Sequence, residues 1–191
     1  TIASGLKEAL SVGTKNAVGL VSQINGYFGN EAIKILLPDK VRQAAELLRT
    51  LGYRKQVDEF IFSMNRAAEK AAPKAASHFA DAIRGMTIED ARKILAGSDR
   101  AATDYFKSKT SAQLYEAFKP LISESMGQVG VTRSYQAMIG RLPALSLAKP
   151  ESIDLDHYVT EKALDGLFHM VGEEEAKIRA NPVARTTELL K

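Results

Sequence analysis

Five side chains near the end of the sequence could bind a metal ion, because they combine carboxylates with imidazoles at helical spacing. They are Asp154, His157, Glu161, Asp165 and His169. Steps of three and four residues place all five on one face of a helix. A carboxylate-bridged di-iron site in a bundle needs Glu-x-x-His on two helices and two further glutamates, a set that this sequence lacks. We therefore expect a solvated helix face and no metal site.

A second candidate site lies in the stretch VDEFIFSMNRAAEKAAPK, residues 57–74. Its apolar residues fall on one side of a predicted helix. A second stripe on the same helix mixes an aromatic ring with polar and charged side chains: Asp58, Phe62, Asn65, Arg66 and Glu69. A surface helix needs only one apolar face, so we expect this helix to be central and to be contacted on both sides.

Two interpretations of this second stripe stay open. In the first it is a buried polar clasp, in which Arg66 pairs with Glu69 and Asn65 hydrogen-bonds the backbone of a neighbouring segment. Most buried polar groups serve the structure in this way, which favours the first interpretation. In the second, Phe62, Asn65, Arg66 and Glu69 bind a ligand. Phe62 would then be an apolar wall, and Arg66 would face a carboxylate or phosphate.

No motif of a known enzyme class completes a catalytic site in this sequence. The Gly-x-Ser-x-Gly, phosphate-loop, His-Glu-x-x-His and dinucleotide-binding patterns are all absent. There are no cysteines, which excludes disulfides, thiol catalysis and cysteine-ligated zinc. None of the three histidines is flanked by a recognisable nucleophile. The sequence therefore predicts no catalytic residue and no cofactor, and an enzyme of unknown type is the least favoured class.

The elements that must position these residues are predicted to be helices. Capping residues and helix breakers delimit about eight to ten of them, in a compact all-α bundle. Thr87 and Asp90 form a predicted capping box at the start of one helix. We also expect a new helix to start at Thr110 or Ser111, and we expect Pro120 to kink or split that helix.

Three further segments complete the predicted architecture. In residues 32–37 apolar side chains alternate with their neighbours, and this period of two indicates a short extended segment. A short helix within residues 129–145 and a loop over residues 146–152 are also predicted, with a last helical turn after Pro182. The whole chain, residues 1–191, is predicted to be a single helical domain.

The bulk composition is that of an ordinary soluble domain. The 191 residues are 45% hydrophobic and 26% charged, which are usual values for globular proteins. The longest apolar runs are far shorter than the ~20 residues of a transmembrane helix, so we predict no membrane span. The net charge of +3 comes without clustered basic residues, so nucleic acid is not an expected partner.

Six stretches distributed over essentially the whole chain resemble one bacterial family. They are SGLKEAL, GTKNAV, AIKILLP, SMNRAAEKAAP, AATDYFK and NPVARTTELLK. The family is the one catalogued as domain of unknown function 4197, and MNRAAE and RTTELLK are its most specific stretches. The family pattern continues for a few residues beyond ELLK, where this chain departs from it. By this resemblance, residues 64–69 belong to the family signature.

The resemblance implies an exported protein of Gram-negative bacteria that is made with an N-terminal signal peptide. Thr1 would then lie directly after a removed signal sequence or lipoprotein anchor. The expected location is the periplasm. The family brings no activity, so the resemblance leaves the function open.

A binding role without catalysis is the function that we predict. The preferred ligand is an apolar or amphipathic small molecule, such as a fatty acid or lipid, held between helices near Phe62, Asn65, Arg66 and Glu69. The alternative is an envelope scaffold that binds another protein, with residues 32–37 adding to a strand of that partner. A ligand-binding protein should have a cavity beside residues 58–69, whereas a scaffold should have a solid core there.

Overall fold

A computed structural model describes residues 1–128, 133 and 153–180. All regular secondary structure in these residues is helical and none of them forms a strand, which confirms the predicted all-α class. None of their helices is both long enough and apolar enough to cross a membrane. The helix predicted within residues 129–145, the loop over 146–152 and the turn after Pro182 lie outside the described residues.

Seven α-helices can be distinguished in the described residues. They are α1 (Ile2–Ser22), α2 (Asp39–Leu48), α3 (Arg54–Ala71), α4 (Ala75–Arg84), α5 (Ile88–Ala96), α6 (Ala101–Gln128) and α7 (Leu155–Ala180). A π-helical turn, Arg49–Tyr53, joins α2 to α3, and a 3-10 turn, Ala72–Lys74, joins α3 to α4. Gly52 kinks the first turn at a φ of 94°, a left-handed conformation that suits glycine.

The predicted number of eight to ten helices is wrong. Helices α2, α3 and α4 follow one another directly, with a kink at Gly52, and counted as one stretch they leave five helical stretches in the described residues. The Thr110 hydroxyl does not start a new helix but donates to the carbonyl of Phe106 at 2.6 Å, one turn earlier in α6. Pro120 also lies inside α6 without splitting it. The buried neighbours Phe118 and Ile122 hold this part of α6 against the core, so packing outweighs the local helix breaker.

The core is built around the two long helices, α6 and α7, which pack along each other. Helix α3 packs against α6, and α1 packs against α7 and α4. Several aromatic rings fill the centre and are fully buried: Phe60, Phe79, Phe106 and Phe118. Phe79 and Phe106 meet edge to face with their ring centroids 5.3 Å apart. This core fixes the inner side of α3 and leaves its polar side to meet the chain between α1 and α2.

The connection between α1 and α2, residues 23–38, contains the segment that was predicted to be extended. The alternating apolar side chains Ile33, Ile35 and Leu37 are buried, and Leu36 between them is 52% exposed. The predicted period of two is therefore confirmed in the burial pattern. No strand forms there, since residues 31–33 make a turn and residues 34–38 are irregular. We call residues 23–38 the α1–α2 loop.

A buried carboxylate ties α7 to the start of α6. Glu175 accepts hydrogen bonds from the backbone N–H groups of Ala102 and Thr103, at 2.9 and 2.8 Å. The orphan N–H groups of a helix start are thereby paired, and the negative charge is well placed at the positive end of the helix. Arg179 pairs with the same carboxylate at 2.8 Å. This arrangement fixes α7, which forms one wall of a cleft against the α1–α2 loop.

Candidate functional site

The polar side of α3 holds the α1–α2 loop in place. Asn65 is fully buried. Its Oδ1 accepts from the N–H of Ile35 at 2.8 Å, and its Nδ2 donates to the carbonyl of Ile35 at 2.9 Å. Nδ2 also donates to the carbonyl of Ile61 at 2.8 Å. The side-chain amide thus pairs with both backbone groups of Ile35, as a neighbouring strand would.

Glu69 holds the beginning of the same loop. Its Oε1 accepts from the backbone N–H groups of Tyr27 and Phe28, at 3.1 and 3.2 Å. Its Oε2 pairs with Arg66, whose guanidinium also donates to Oδ1 of Asn25 at 2.9 Å. The predicted Arg66–Glu69 pair and the predicted backbone contact of Asn65 are both present. We call Asn65, Arg66 and Glu69 the clasp, because their polar groups bind the loop.

The opposite side of the loop is bound to α7. Tyr27 is fully buried and its hydroxyl donates to the carbonyl of Ala163 at 2.5 Å. Burial, together with the negative charge of Glu69, raises the pKa of Tyr27, so the phenol is neutral. A Cβ atom at Gly166 would lie 2.7 Å from the Tyr27 ring, and the close approach of α7 therefore requires a glycine there. The loop is fixed between α3 and α7.

An aromatic pair of the exposed Phe62 and the half-buried Phe28 lies on the outer side of the clasp. The Phe28 and Phe62 rings meet edge to face at 5.2 Å, and Phe62 is 41% exposed. Nζ of Lys34 lies 4.4 Å from the Phe28 centroid, and the Arg66 guanidinium lies 4.4 Å from that of Phe62. Each ring thus has a cation over it, a favourable arrangement. We call Phe28 and Phe62 the aromatic face.

A surface hollow of about 710 Å³ adjoins the aromatic face. It is lined by Phe28, Gly52, Arg54, Lys55, Asp58, Glu59 and Phe62. Both of its carboxylates have cationic neighbours, since Arg49 pairs with Asp58 at 3.0 Å and Lys55 approaches Glu59 at 3.8 Å. A concavity beside residues 58–69 is therefore present, but it opens to solvent at the surface and does not lie between helices.

A second concavity lies between the α1–α2 loop and α7. It has a volume of about 530 Å³ and is lined by residues 32–39, Arg42, Tyr158, Lys162, Asp165, Gly166 and His169. The Tyr158 hydroxyl donates to the carbonyl of Leu36 at 2.7 Å, which joins the two walls. Burial, with a smaller effect of Asp39, raises the pKa of Tyr158 and keeps this hydroxyl a donor. We call this concavity the α7 cleft.

The five side chains that were considered as metal ligands lie at the start of α7 and along it, and most of them contact different neighbours. Asp154 accepts from the backbone N–H of His157 at 3.0 Å, and the His157 ring shares a 2.6 Å hydrogen bond with the Tyr115 hydroxyl. His169 lies 3.8 Å from Glu173. In the parts of the chain that the structure describes, no group of three or more histidine and acidic side chains could hold a metal ion.

Titratable groups with shifted pKa values occur on several of the described elements. The capping box of Thr87 and Asp90 is confirmed, and its hydrogen bonds lower the pKa of Asp90. Burial raises the pKa of Tyr105, on another helix, and that of Tyr158 on α7. Acid–base catalysis requires such groups to converge in one cleft. Asp90 contributes to the raised pKa of Tyr105, whereas the main cause of the raised pKa of Tyr158 is its own burial.

A family model described as "Protein of unknown function (DUF4197)" matches residues 1–191, the whole chain. The chain belongs to this family. The resemblance inferred from the sequence is thereby confirmed. Neither the curated proteins nor the solved structures that were compared with this DUF4197 chain include a match. In this DUF4197 protein the MNRAAE stretch has a structural explanation, because it supplies the whole clasp.

The structure assigns different positions to the four predicted ligand-binding residues of this DUF4197 protein. Asn65 and Glu69 are buried beneath the loop, whereas Phe62 and Arg66 reach the surface. The sequence did not pair Phe28 with the second stripe of α3. Phe28 follows Tyr27 directly after the Asn25-Gly26 turn. A turn that leads into two aromatic residues is the sequence signal that could have pointed to Phe28. The α7 cleft was also missed, because its walls are far apart in the sequence.

Proposed function

We propose that this DUF4197 protein is a non-catalytic binding protein of the Gram-negative periplasm. Its ligand is an amphipathic small molecule with an anionic head, such as a fatty acid or lipid. We place the ligand on the aromatic face and in the adjoining hollow. The observation that carries this proposal is that Phe28 and Phe62 form a solvent-accessible pair with a cation over each ring.

The aromatic face suits the apolar part of such a ligand. An alkyl chain laid on Phe62 would remove apolar surface of both chain and ring from water, which contributes roughly 25 cal/mol per Å². Phe28 is held for this contact, since its backbone N–H donates to the buried Glu69. A surface that is ordered before binding loses less conformational entropy when the ligand arrives.

The charges around the aromatic face suit a carboxylate or phosphate head. Lys34 and Arg66 lie over the two rings, and Arg54 lines the hollow. Neither Lys34 nor Arg54 makes an ion pair with any other described residue. A cation within about 4 Å of an anionic head contributes about 1 kcal/mol where solvent screens the charges.

This proposal divides the four predicted site residues into two groups. Phe62 and Arg66 would contact the ligand directly, since both reach the surface of α3. Asn65 and Glu69 would support the site from beneath, because their polar groups bind the backbone of Ile35, Tyr27 and Phe28. The clasp and a ligand surface are then two sides of one helix.

Titration calorimetry with laurate tests the proposal. We expect the wild-type protein to bind laurate and the Phe62→Ala variant to bind it about tenfold more weakly, because the largest apolar contact is lost. Ile88→Ala is the matched control, since Ile88 is 65% exposed on α5, outside the proposed surface. Its affinity should stay within about twofold of wild type. Absence of laurate binding by folded wild-type protein would contradict the proposal.

A protein partner in the cell envelope is the second candidate occupant of the same surface. The exposed side chains of Leu51 and Tyr53, 54% and 39% accessible, favour it because they flank Gly52 of the hollow. Such a scaffold would use a wide apolar surface and no small ligand. If the folded wild-type protein does not bind laurate, the protein partner becomes the proposed occupant of this surface.

The periplasmic location is supported by the family resemblance of the sequence and has its own test. Osmotic shock of the source bacterium should release the protein with the periplasmic fraction. A precursor that carries a lipid anchor would instead be found with the membranes. Recovery of the protein in the cytosolic fraction alone would contradict an exported protein.

A further inference from the structure

Three cations adjoin the aromatic face, and they differ in whether their charge is already compensated. The Arg66 guanidinium donates to Oε2 of the buried Glu69 and to Oδ1 of Asn25, so its charge is paired within the fold. Lys34 and Arg54 form no ion pair with the residues that the structure describes. Arg54 is exposed in the hollow, whereas Lys34 is half-buried and lies over one ring of the aromatic face. Lys34 therefore combines an uncompensated charge with a position on the aromatic face.

We infer that Lys34 binds the anionic head of the ligand and makes the aromatic face selective for anionic over cationic amphipaths. This inference rests on the proposed function, because it names the residue that recognises the head at the same site. Nζ of Lys34 lies 4.4 Å from the centroid of the Phe28 ring. The face of an aromatic ring carries partial negative charge and repels a carboxylate. A cation over that face removes the repulsion, and its N–H donors offer the carboxylate a direct partner.

Helix α3 fixes the backbone on both sides of this contact. The backbone N–H of Phe28 donates to Glu69 of α3 at 3.2 Å. The backbone N–H of Lys34 donates to the carbonyl of Asn30 at 2.8 Å, and Asn65 of α3 binds both backbone groups of the residue that follows Lys34. The backbone that carries the ring and the ammonium therefore does not have to rearrange when a ligand arrives. Such preorganisation lowers the entropy cost of binding.

The position of Lys34 also gives the direction in which an amphipath would lie. The Phe28 and Phe62 rings meet edge to face at 5.2 Å, and both line the hollow. A ligand with its head at Lys34 would extend its alkyl chain over Phe62 and into the hollow. The charged head then stays at the solvent-accessible rim, and the apolar chain covers the aromatic surface.

The carboxylates of the hollow do not offset this preference for an anionic head. Arg49 pairs with Asp58 at 3.0 Å, and Lys55 approaches Glu59 at 3.8 Å. A cationic head would meet carboxylates that already have cationic neighbours. An anionic head would meet the ammonium of Lys34, which has no carboxylate partner among the described residues.

Titration calorimetry tests this role of Lys34 with laurate and with dodecyltrimethylammonium, which has the same alkyl chain and a cationic head. We expect the wild-type protein to bind laurate about tenfold more tightly. Lys34→Met keeps an unbranched side chain that can lie on the ring. It should lower the laurate affinity about tenfold and raise the affinity for the cationic amphipath. Lys34→Arg should keep the wild-type preference, whereas Phe62→Ala should weaken both ligands alike.

Lys93→Met is the matched control. Lys93 is an exposed lysine of α5 that pairs with Glu89 at 2.7 Å, and it does not line the hollow. Its replacement removes the same charge and should leave both affinities within about twofold. An unchanged laurate affinity in Lys34→Met, or a loss in Arg54→Gln instead, would overturn the role of Lys34 and leave the proposed function intact. Folded wild-type protein that does not bind laurate would contradict both.

Discussion

Asn65 connects two parts of the chain that local sequence does not bring together. A side-chain amide offers an acceptor and two donors, and Asn65 makes three hydrogen bonds with them, two to Ile35 and one to Ile61. An aspartate of the same shape could accept from Ile35 but could not donate to its carbonyl. Because Ile35 is itself buried, no water can replace the lost partner.

Replacement of Asn65 tests how much its hydrogen bonds to Ile35 stabilise the fold. Asn65→Ala would leave a buried N–H and a buried carbonyl of Ile35 unpaired, which should lower the free energy of unfolding by on the order of 3 kcal/mol. Urea denaturation followed by circular dichroism measures this change. Gln43→Ala, at an exposed position of α2, should change the free energy by less than about 0.5 kcal/mol. Equal midpoints for the two variants would show that the Asn65 bonds are unimportant.

The α1–α2 loop acts as an element in its own right, although it has no regular secondary structure. The clasp binds it from α3, and α7 binds it through Ala163, which accepts from Tyr27, and through Tyr158, which donates to Leu36. The hollow and the α7 cleft both border this loop. The position of the loop between α3 and α7 therefore determines the shape of both concavities.

The contact between the loop and α7 is tested at Gly166. In Gly166→Ala the new methyl group would meet the buried Tyr27 ring, and overpacking of this kind costs about 1–3 kcal/mol. Gly19→Ala is the control, because nothing lies within 4 Å of its Cβ position on α1. That variant should gain about 0.5–1 kcal/mol from helix propensity. Denaturant midpoints would contradict the described packing if Gly166→Ala were as stable as Gly19→Ala.

The sequence predicts those features whose cause is local. The second stripe of α3, the alternating burial of residues 32–37 and the capping box at Thr87 follow from side-chain period and from neighbours within one turn. The continuity of α6 does not follow from local sequence. Thr110 and Pro120 are both helix-ending signals, but the burial of neighbouring residues of α6 outweighs them. The partner of Ile35 is 30 residues away in the sequence. A cavity beside residues 58–69 was expected for a ligand-binding protein, but the α7 cleft could not be predicted, because it depends on how the loop lies against a helix that is distant in the sequence.

At the scale of the whole molecule, the helical core and the surface features have separate tasks. Helices α6 and α7 form the centre, and the fully buried aromatic rings complete it. The clasp uses the polar side of α3 to mount a loop on this core. The loop in turn presents the aromatic face and one wall of the α7 cleft. A helical support that presents an aromatic surface beside a hollow is suited to binding.

Native mass spectrometry of the purified protein tests the central claim, that the aromatic face binds an anionic amphipath. The protein would be measured after incubation with laurate and again after organic extraction, with Phe62→Ala in parallel. We expect a single laurate adduct on the wild-type protein, its loss on extraction and a much weaker adduct on the variant. An unchanged wild-type mass at every laurate concentration, or equal adducts on both proteins, would contradict the claim.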